Sequence, residues 1–229
     1  PYHMGVRTLR DLDYRARTDS DFARRVRLGG LIPIGRTNVP QMAVMGTTEP
    51  ELYGPTHNPW MLGRSPGGSS GGAAAAVAAR IVPVAHANDI SGSIRIPAAM
   101  CGLVGLKPTR GRVITSSADS PIGMVAEGVV TRSGRDTAAM VDWLTHRSPW
   151  WPAPGIDRPL VAEVGAPCEP LRIGVWTEAF NGTAVDAESA RTATAIGVLL
   201  SSMGHHVDIA APAVFSSDEL WDVAKSALG

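Results

Sequence analysis

Two short turns rich in glycine and serine constrain the fold of this chain more than any other part of its sequence. The first, Gly67 to Gly72, leads into the alanine-rich segment 73–80, whose residues are strong helix formers. The second, 88–93, follows the apolar run 81–87, which predicts a buried strand. One such turn indicates only a helix start, because serine and glycine are favoured at helix N-termini. Two of them, separated by one helix and one strand, indicate a shared site on an α/β scaffold.

The residues around Ser93 decide which chemistry these turns can support. Asp89 and Arg95 flank it, and the small residues between them let backbone N–H groups converge, as an acyl-transfer oxyanion requires. The first turn also matches the Gly-x-Ser-x-Gly nucleophile elbow of hydrolases, but the preceding segment 53–66 contains three prolines and no strand pattern. A phosphate-binding loop is another alternative, although the Walker A pattern needs a lysine that the turn lacks.

The rest of the chain alternates between helical and strand patterns, which predicts an α/β protein. Helices are predicted at 18–30, 135–146, 186–203 and 217–228, and strands at 31–35, 171–176 and 206–210. The segment 46–72 is predicted to be a long loop, which a compact domain seldom carries without a function. The proline-rich segment from about 148 to 170 is predicted to be a surface connection.

Composition and charge argue against several classes of function. Lysine plus arginine and aspartate plus glutamate both total 21, so no net charge attracts nucleic acid or an anionic membrane. The most apolar stretch, 73–79, is far shorter than the roughly 20 residues that span a bilayer, and we expect a cytoplasmic protein. The two cysteines, Cys101 and Cys168, are expected to be inert thiols. No spacing of histidine or cysteine indicates a metal site, and no cofactor is expected.

Three segments together closely resemble the signature region of the amidase signature family. They are GGSSGG at 67–72, DISGSIRIP at 89–97 and CGLVGLKPT at 101–109, and GRTNVP at 35–40 and GPTHNPW at 54–60 agree with them. The resemblance is strong over about 20–135. It implies an α/β/α sandwich around a large mixed sheet, of which residues 1–229 would form an incomplete single domain.

The resemblance also implies an activity, the hydrolysis of a carboxylic amide by a Ser–cis-Ser–Lys triad. Ser93 corresponds to the nucleophile and Ser69 to the bridging serine beside a cis peptide bond. The implied oxyanion donors are the backbone N–H groups of Ile90, Ser91, Gly92 and Ser93; the implied supports are Asp89, Arg95 and Ser70; and Met42 and Ala43 would lie near the pocket wall. The expected partner is a small amide substrate, and self-association stays open.

The sequence departs from the family pattern at several positions. Ser91 stands where the family usually has glycine, and His86, on the apolar strand, is interpreted as structural rather than as a base. The family lysine lies upstream of the bridging serine, but no lysine precedes Ser69 in these 229 residues. Lys107 belongs to the Gly-Leu-Lys-Pro-Thr motif and Lys225 to the last predicted helix. We therefore expect the middle of a larger domain, inactive by itself, with the lysine outside this chain.

Two other functions stay open at this point. A glutaminase subunit of an amidotransferase would use the same triad but pass ammonia to a partner that binds tRNA. A non-catalytic fragment would use the two turns only to cap helices. Glutamine-dependent ammonia release would identify the first, and failure to react with an acylating probe would identify the second.

Overall fold

The computed structural model describes residues 3–113, 124–145, 158–179 and 182–210. The chain divides into two compact units, Pro1–Gly165 and Ala166–Gly229. Each unit has its own sheet, with three strands in the first and two in the second. The boundary between the units lies inside the proline-rich segment that the sequence predicts to be a connection.

The first unit contains both serine turns and the elements around them. Its helices are α1 (Arg7–Asp11), α2 (Asp21–Leu28), α3 (Gly71–Ala78), α4 (Arg95–Met100), α5 (Gly134–Leu144) and α6 (Leu160–Glu163), with one 3₁₀ turn at Gln41–Ala43. Its strands are β1 (Val84–Asp89), β2 (Val104–Gly105) and β3 (Ala126–Thr131). The predicted helices at 18–30, 73–80 and 135–146 are confirmed as α2, α3 and α5, with ends that differ by up to three residues.

The three strands form an antiparallel sheet with β3 in the centre. His86 pairs with Val129 and Asp89 with Ala126, and every residue of β3 is buried. Because successive side chains of a strand point to opposite faces, Val129 and Val130 lie on opposite sides of the sheet. A strand that is buried on both faces requires a layer of packing on each side.

Helices supply those two layers. On one side, Ala73 and Val77 of α3 and Ala98 of α4 pack with Ala87 and Val130. The other side is formed by Val113, Val129 and Leu144, with Phe22 and Val26 of α2 packed against them. The first unit therefore contains helix, sheet and helix layers, and both serine turns belong to the α3–α4 layer.

Capping residues explain where two of these helices begin. Ser20 accepts a hydrogen bond from the N–H of Ala23 (3.2 Å), so α2 begins at Asp21 rather than at residue 18, where the predicted helix begins. Ser133 accepts one from the N–H of Asp136 (3.0 Å) at the start of α5.

The predicted strand at 31–35 is wrong. Residues 31–40 have no regular structure, and Ile32 and Ile34 are exposed. Pro33 offers no N–H to a ladder, so the apolar run alone was a misleading signal. The predicted strand at 81–87 is confirmed but begins later, at Val84 after Pro83, and ends at Asp89. Between 46 and 70 the chain has no helix or strand, as predicted for a long loop.

The second unit is a parallel pair of strands joined by a helix. It contains β4 (Arg172–Val175), α7 (Ala187–Ser202) and β5 (His206–Ile209), and Ile173 pairs with Val207. Gly197 of α7 lies so close to the strands that an added Cβ would stand 2.8 Å from Cγ2 of Val175. All three predicted elements are confirmed, whereas the predicted helix at 217–228 lies outside the described residues. In the part of the chain that the structure describes, no helix is long and apolar enough to cross a membrane.

Candidate active site

The first serine turn enters α3 through a cis peptide bond between Gly68 and Ser69, the position that the resemblance implies. Ser69 and Ser70 are both buried. Ser70 stands at the N-cap of α3, but its side chain makes no capping hydrogen bond. Side-chain capping by serine therefore does not account for this turn.

A residue that the sequence did not single out organises the same turn. Thr48 is fully buried, and its Oγ1 donates to the carbonyl oxygen of Gly67 (2.9 Å) and accepts from the N–H of Gly71 (3.1 Å). The sequence identified Thr48 only as one residue of the long 46–72 loop. The spacing of residues does not connect it to Gly67 and Gly71, about 20 positions later.

Main-chain atoms of Thr47, in the long loop, and of Asn38, which precedes that loop, lie close to the first serine turn. A Cβ added at Gly68 would lie 2.6 Å from the carbonyl oxygen of Thr47, and one at Gly72 would lie 2.3 Å from that of Asn38. Such distances are too short for any side chain, so glycine at both positions lets these two segments approach the turn. Asn38 itself is tied to the loop through hydrogen bonds from Nδ2 to Thr56 Oγ1 and the Gly54 carbonyl, both 3.0 Å.

The second serine turn is held by a single carboxylate. Asp89, at the end of β1, is fully buried. It accepts five hydrogen bonds: from the N–H groups of Gly92 (2.7 Å), Ile94 (3.2 Å) and Arg95 (3.4 Å), and from Nε and Nη2 of Arg95 (2.9 Å each). Burial by itself raises the pKa of Asp89, but the hydrogen bonds from Arg95, Gly92 and Ile94 outweigh it and hold that pKa below its usual value. The carboxylate is therefore charged at neutral pH.

The four N–H groups that the resemblance implies as oxyanion donors differ in what they bind. The N–H of Gly92 already donates to Asp89 and so shapes the turn. The N–H groups of Ile90, Ser91 and Ser93 donate no hydrogen bond to any other residue that the structure describes. Gly92 has a φ of +132°, which residues other than glycine rarely adopt. Ser91, where the sequence departs from the family pattern, is an exposed residue.

The first serine turn packs against α4, the helix that follows the second turn. A Cβ added at Gly67 would stand 2.9 Å from Sδ of Met100 and 3.1 Å from both Cγ2 of Ile96 and Cα of Pro97, all in α4. Helix α4 begins two residues after Ser93, and Gly67 precedes Ser69 by two residues. The fold thus brings the Ser69 turn and the Ser93 turn into one place.

Further contacts fasten α4 to the long loop. Nδ2 of Asn58 donates to the carbonyl oxygen of Met100 (2.7 Å), and Nε1 of Trp60 donates to that of Cys101 (2.8 Å). Burial raises the pKa of the Cys101 thiol, which fits the expected inert thiol. Cys168 is also free and is exposed.

His86 lies away from the serine turns. Its neighbour Ala87 packs with α3 and α4, so His86 faces the opposite side of the sheet. There its Nε2 is hydrogen-bonded to Oε2 of Glu127 (2.5 Å), and its ring contacts Phe22 with centroids 4.2 Å apart. These contacts agree with the interpretation of His86 as a structural residue.

The remaining predicted site residues are less tightly defined. Nζ of Lys107 donates to the carbonyl oxygen of Pro108 (2.9 Å), in agreement with a structural role, and Lys225 lies outside the described residues. Met42 and Ala43 form part of the 3₁₀ turn and both have positive φ angles (55° and 58°); their place at a pocket wall stays a prediction. Among the described residues, no group of three histidines, cysteines or carboxylates could hold a metal.

Known proteins are similar to this chain over almost its whole length. The 6-aminohexanoate-cyclic-dimer hydrolase of Paenarthrobacter ureafaciens is 44% identical over 214 residues, which are 90% of this chain and 43% of that protein. The solved structure of 6-aminohexanoate cyclic dimer hydrolase complexed with substrate matches with a TM-score of 0.87 and 42% identity, over 92% of this chain and 45% of that one. A bacterial aryl acylamidase of the amidase signature family matches with a TM-score of 0.85 and 30% identity, over 95% and 45%.

These matches carry two conclusions. The chain spans less than half the length of the proteins it matches, and it contains part of the mixed α/β fold of amidase signature enzymes, as the sequence predicts. The Amidase family model matches residues 3–225, and the chain therefore belongs to the Amidase family, the amidase signature enzymes.

Proposed function

We propose that the full-length protein hydrolyses a carboxylic amide through an acyl-enzyme on Ser93. The observation that carries this proposal is the packing of the Ser69 turn against α4, the helix that follows the Ser93 turn. In that second turn the N–H groups of Ile90, Ser91 and Ser93 donate no hydrogen bond to another described residue. A nucleophile, a second hydroxyl on an adjacent turn and a set of amide donors are the parts that acyl transfer requires.

In the proposed acylation step, Oγ of Ser93 attacks the amide carbonyl carbon. Its proton passes to Oγ of Ser69, and the proton of Ser69 passes to a neutral lysine. The tetrahedral intermediate then collapses as the C–N bond breaks, and the lysine returns a proton through Ser69 to the leaving amine. Serine needs such a base because its hydroxyl is a weak nucleophile at neutral pH.

The lysine of this triad is proposed to come from a segment of the protein outside these 229 residues. Lys107, the lysine within the described residues, is bound to the adjacent Pro108 carbonyl. Hydrolysis of the acyl-enzyme follows the same path in reverse, with water in place of the amine, and releases the carboxylic acid and free Ser93. No cofactor enters either step.

The oxyanion of the intermediate is proposed to bind the N–H groups of Ile90, Ser91 and Ser93. Each donor in such a site contributes about 3 kcal/mol to the stabilisation of the transition state. Asp89 fixes the turn from inside through Gly92, Ile94 and Arg95. Asp89 accepts hydrogen bonds from these groups and not from the N–H groups of Ile90, Ser91 and Ser93. Those three N–H groups therefore remain available to the oxyanion.

The names of the relatives support an amide as the substrate class. Cyclic 6-aminohexanoate dimer and aryl acylamides, named in the proteins similar to this chain, are the first compounds to assay. Met42 and Ala43, in the 3₁₀ turn at Gln41–Ala43, are proposed to contact the acyl group. A cytoplasmic location and self-association stay predictions.

The glutaminase alternative is not favoured, because the relatives above are named as hydrolases and acylamidases. One assay separates the candidates: the full-length protein is incubated with the two amides and, separately, with glutamine. Release of a carboxylic acid from an amide supports the proposal. Ammonia release from glutamine alone would indicate a glutaminase, and no release together with no labelling by a fluorophosphonate would indicate a non-catalytic role.

A further inference from the structure

We propose that Thr48 is a positioning residue for Ser69, a role that rests on the proposed function above. Its hydroxyl joins the two residues that bracket the central part of the first serine turn. Oγ1 donates to the Gly67 carbonyl (2.9 Å) and accepts from the Gly71 N–H (3.1 Å). Ser69 lies midway between these two attachment points.

The hydrogen-bonding capacity of a hydroxyl matches this position. It has one donor and two acceptor lone pairs, so a single group can satisfy both a carbonyl and an N–H. Thr48, Gly67 and Gly71 are all buried, so solvent has little access to replace the hydroxyl. A methyl group of the same size would leave both backbone groups without a partner.

Thr48 is itself held in place, which lets it act as a fixed anchor. Its carbonyl oxygen accepts a hydrogen bond from the N–H of Thr56 (2.9 Å). A Cβ on Gly71 would stand 2.3 Å from Oγ1 of Thr48, so the loop and the start of α3 are in close contact. Residues 67–71 therefore cannot shift without breaking a hydrogen bond to Thr48.

The position of Ser69 matters more for some substrates than for others. In the proposed mechanism Ser69 delivers a proton to the leaving amine, whereas a p-nitrophenolate leaves without one. Misplacement of a catalytic group by about 1 Å can cost on the order of 100-fold in rate. Loss of the Thr48 hydroxyl should therefore slow amide hydrolysis more than hydrolysis of the p-nitrophenyl ester of the same acid.

The test compares Thr48→Val, Thr48→Ser and the wild type as full-length proteins on a matched amide and p-nitrophenyl ester. We expect Thr48→Val to lower kcat for the amide about 10- to 100-fold, with a smaller loss for the ester and an unchanged KM. Thr48→Ser, which keeps the hydroxyl, should retain the amide kcat within about threefold. Thr137→Val is the matched control. It removes a buried hydroxyl in α5 that is hydrogen-bonded to the hydroxyl of Thr131 in β3 (2.7 Å). It should lower Tm and leave the amide-to-ester ratio unchanged.

A double-mutant cycle separates positioning from general damage. In a Ser69→Ala background, Thr48→Val should change the residual rate by less than about twofold, because the group it positions is already absent. A wild-type amide kcat in Thr48→Val, equal losses for amide and ester, or an equal loss in the Ser69→Ala background would each overturn the proposal. If Thr48→Val does not fold, Thr48→Ala against Thr48→Ser makes the same comparison. Failure of the wild type to hydrolyse either substrate would instead reject the proposed function.

Discussion

Asp89 and Arg95 form two parallel hydrogen bonds of 2.9 Å around the turn that presents Ser93. The carboxylate is fully buried, whereas the guanidinium side chain is about half exposed. The pair therefore fixes the turn through a charged carboxylate that is buried in the fold.

Asp89→Ala is expected to destabilise the full-length protein and to abolish turnover. The N–H groups of Gly92 and Ile94 would lose their partner, and a buried group without one costs about 1–3 kcal/mol. Urea unfolding should show a loss of about 2–4 kcal/mol in total. Asp11→Ala, which removes an exposed carboxylate paired with Arg10, should cost less than about 1 kcal/mol. Equal losses in the free energy of unfolding for the two variants would contradict a stabilising role of Asp89 in the turn.

The lowered pKa of Asp89 predicts a pH dependence of stability. A carboxylate whose pKa lies lower in the folded state stabilises the fold above its unfolded pKa of about 3.9. That contribution is lost as the pH falls through the folded pKa, because the unfolded chain binds a proton first. The stability difference between wild type and Asp89→Asn should therefore shrink steadily below about pH 4 in urea unfolding series. A difference that stays constant from pH 6 to pH 3 would argue against a charged Asp89.

Gly92→Ala is expected to remove activity through the shape of the turn. The φ of Gly92 is +132°, and an added Cβ would stand 2.7 Å from Cδ1 of Ile96. Both effects would displace the N–H groups of Ser91 and Ser93, so labelling of Ser93 by a fluorophosphonate should slow at least about 100-fold. Gly204→Ala is the matched control: its φ is +95° but no atom lies within 4 Å of the added Cβ. Similar labelling rates in the two variants would show that the Gly92 turn does not shape the site.

His86→Gln is expected to lower stability and leave catalysis intact. On the side of the sheet opposite α3 and α4, the ring of His86 contacts Phe22 of α2 and its Nε2 is hydrogen-bonded to Glu127 of β3. Tm should fall by a few degrees because a side-chain contact and a partner of the buried Glu127 are weakened. The value of kcat/KM should stay within about twofold, since no proton transfer passes through His86. A loss of kcat near 1,000-fold with unchanged Tm would make His86 a catalytic base instead.

Local sequence rules predicted the elements whose signals are local. The alanine run predicted α3, and the helical spacing of apolar residues in 135–146 predicted α5. The alternation of β4, α7 and β5 was recognisable because each has its own periodicity. The wrong prediction of a strand at 31–35 also came from a local signal. Ile32 and Ile34 look like strand residues, but strand formation needs a partner, and Pro33 removes an N–H that a partner would use.

The family motif predicted candidate site residues within its own segments. It did not predict roles that depend on contacts between residues far apart in the sequence. The motif predicts roles for Ser69, Ser93 and Asp89, and the hydrogen bond from the Gly92 N–H agrees with the supporting role of Asp89. The role of Thr48 depends on hydrogen bonds to Gly67 and Gly71, about 20 residues away, which no spacing rule encodes. The use of the Gly92 N–H by Asp89 is also invisible in sequence, because every residue of the turn carries the same backbone donor.

Replacement of Ser93 in the full-length protein tests the central claim most directly. Wild type, Ser93→Ala and Ser69→Ala are assayed on the same amide, and each is treated with a fluorophosphonate and analysed by peptide mass spectrometry. We expect one adduct, on Ser93 of the wild type, and a loss of turnover in Ser93→Ala beyond about 1,000-fold, with a severe loss in Ser69→Ala. Near-normal amide hydrolysis by Ser93→Ala, or an adduct on another residue, would contradict the account.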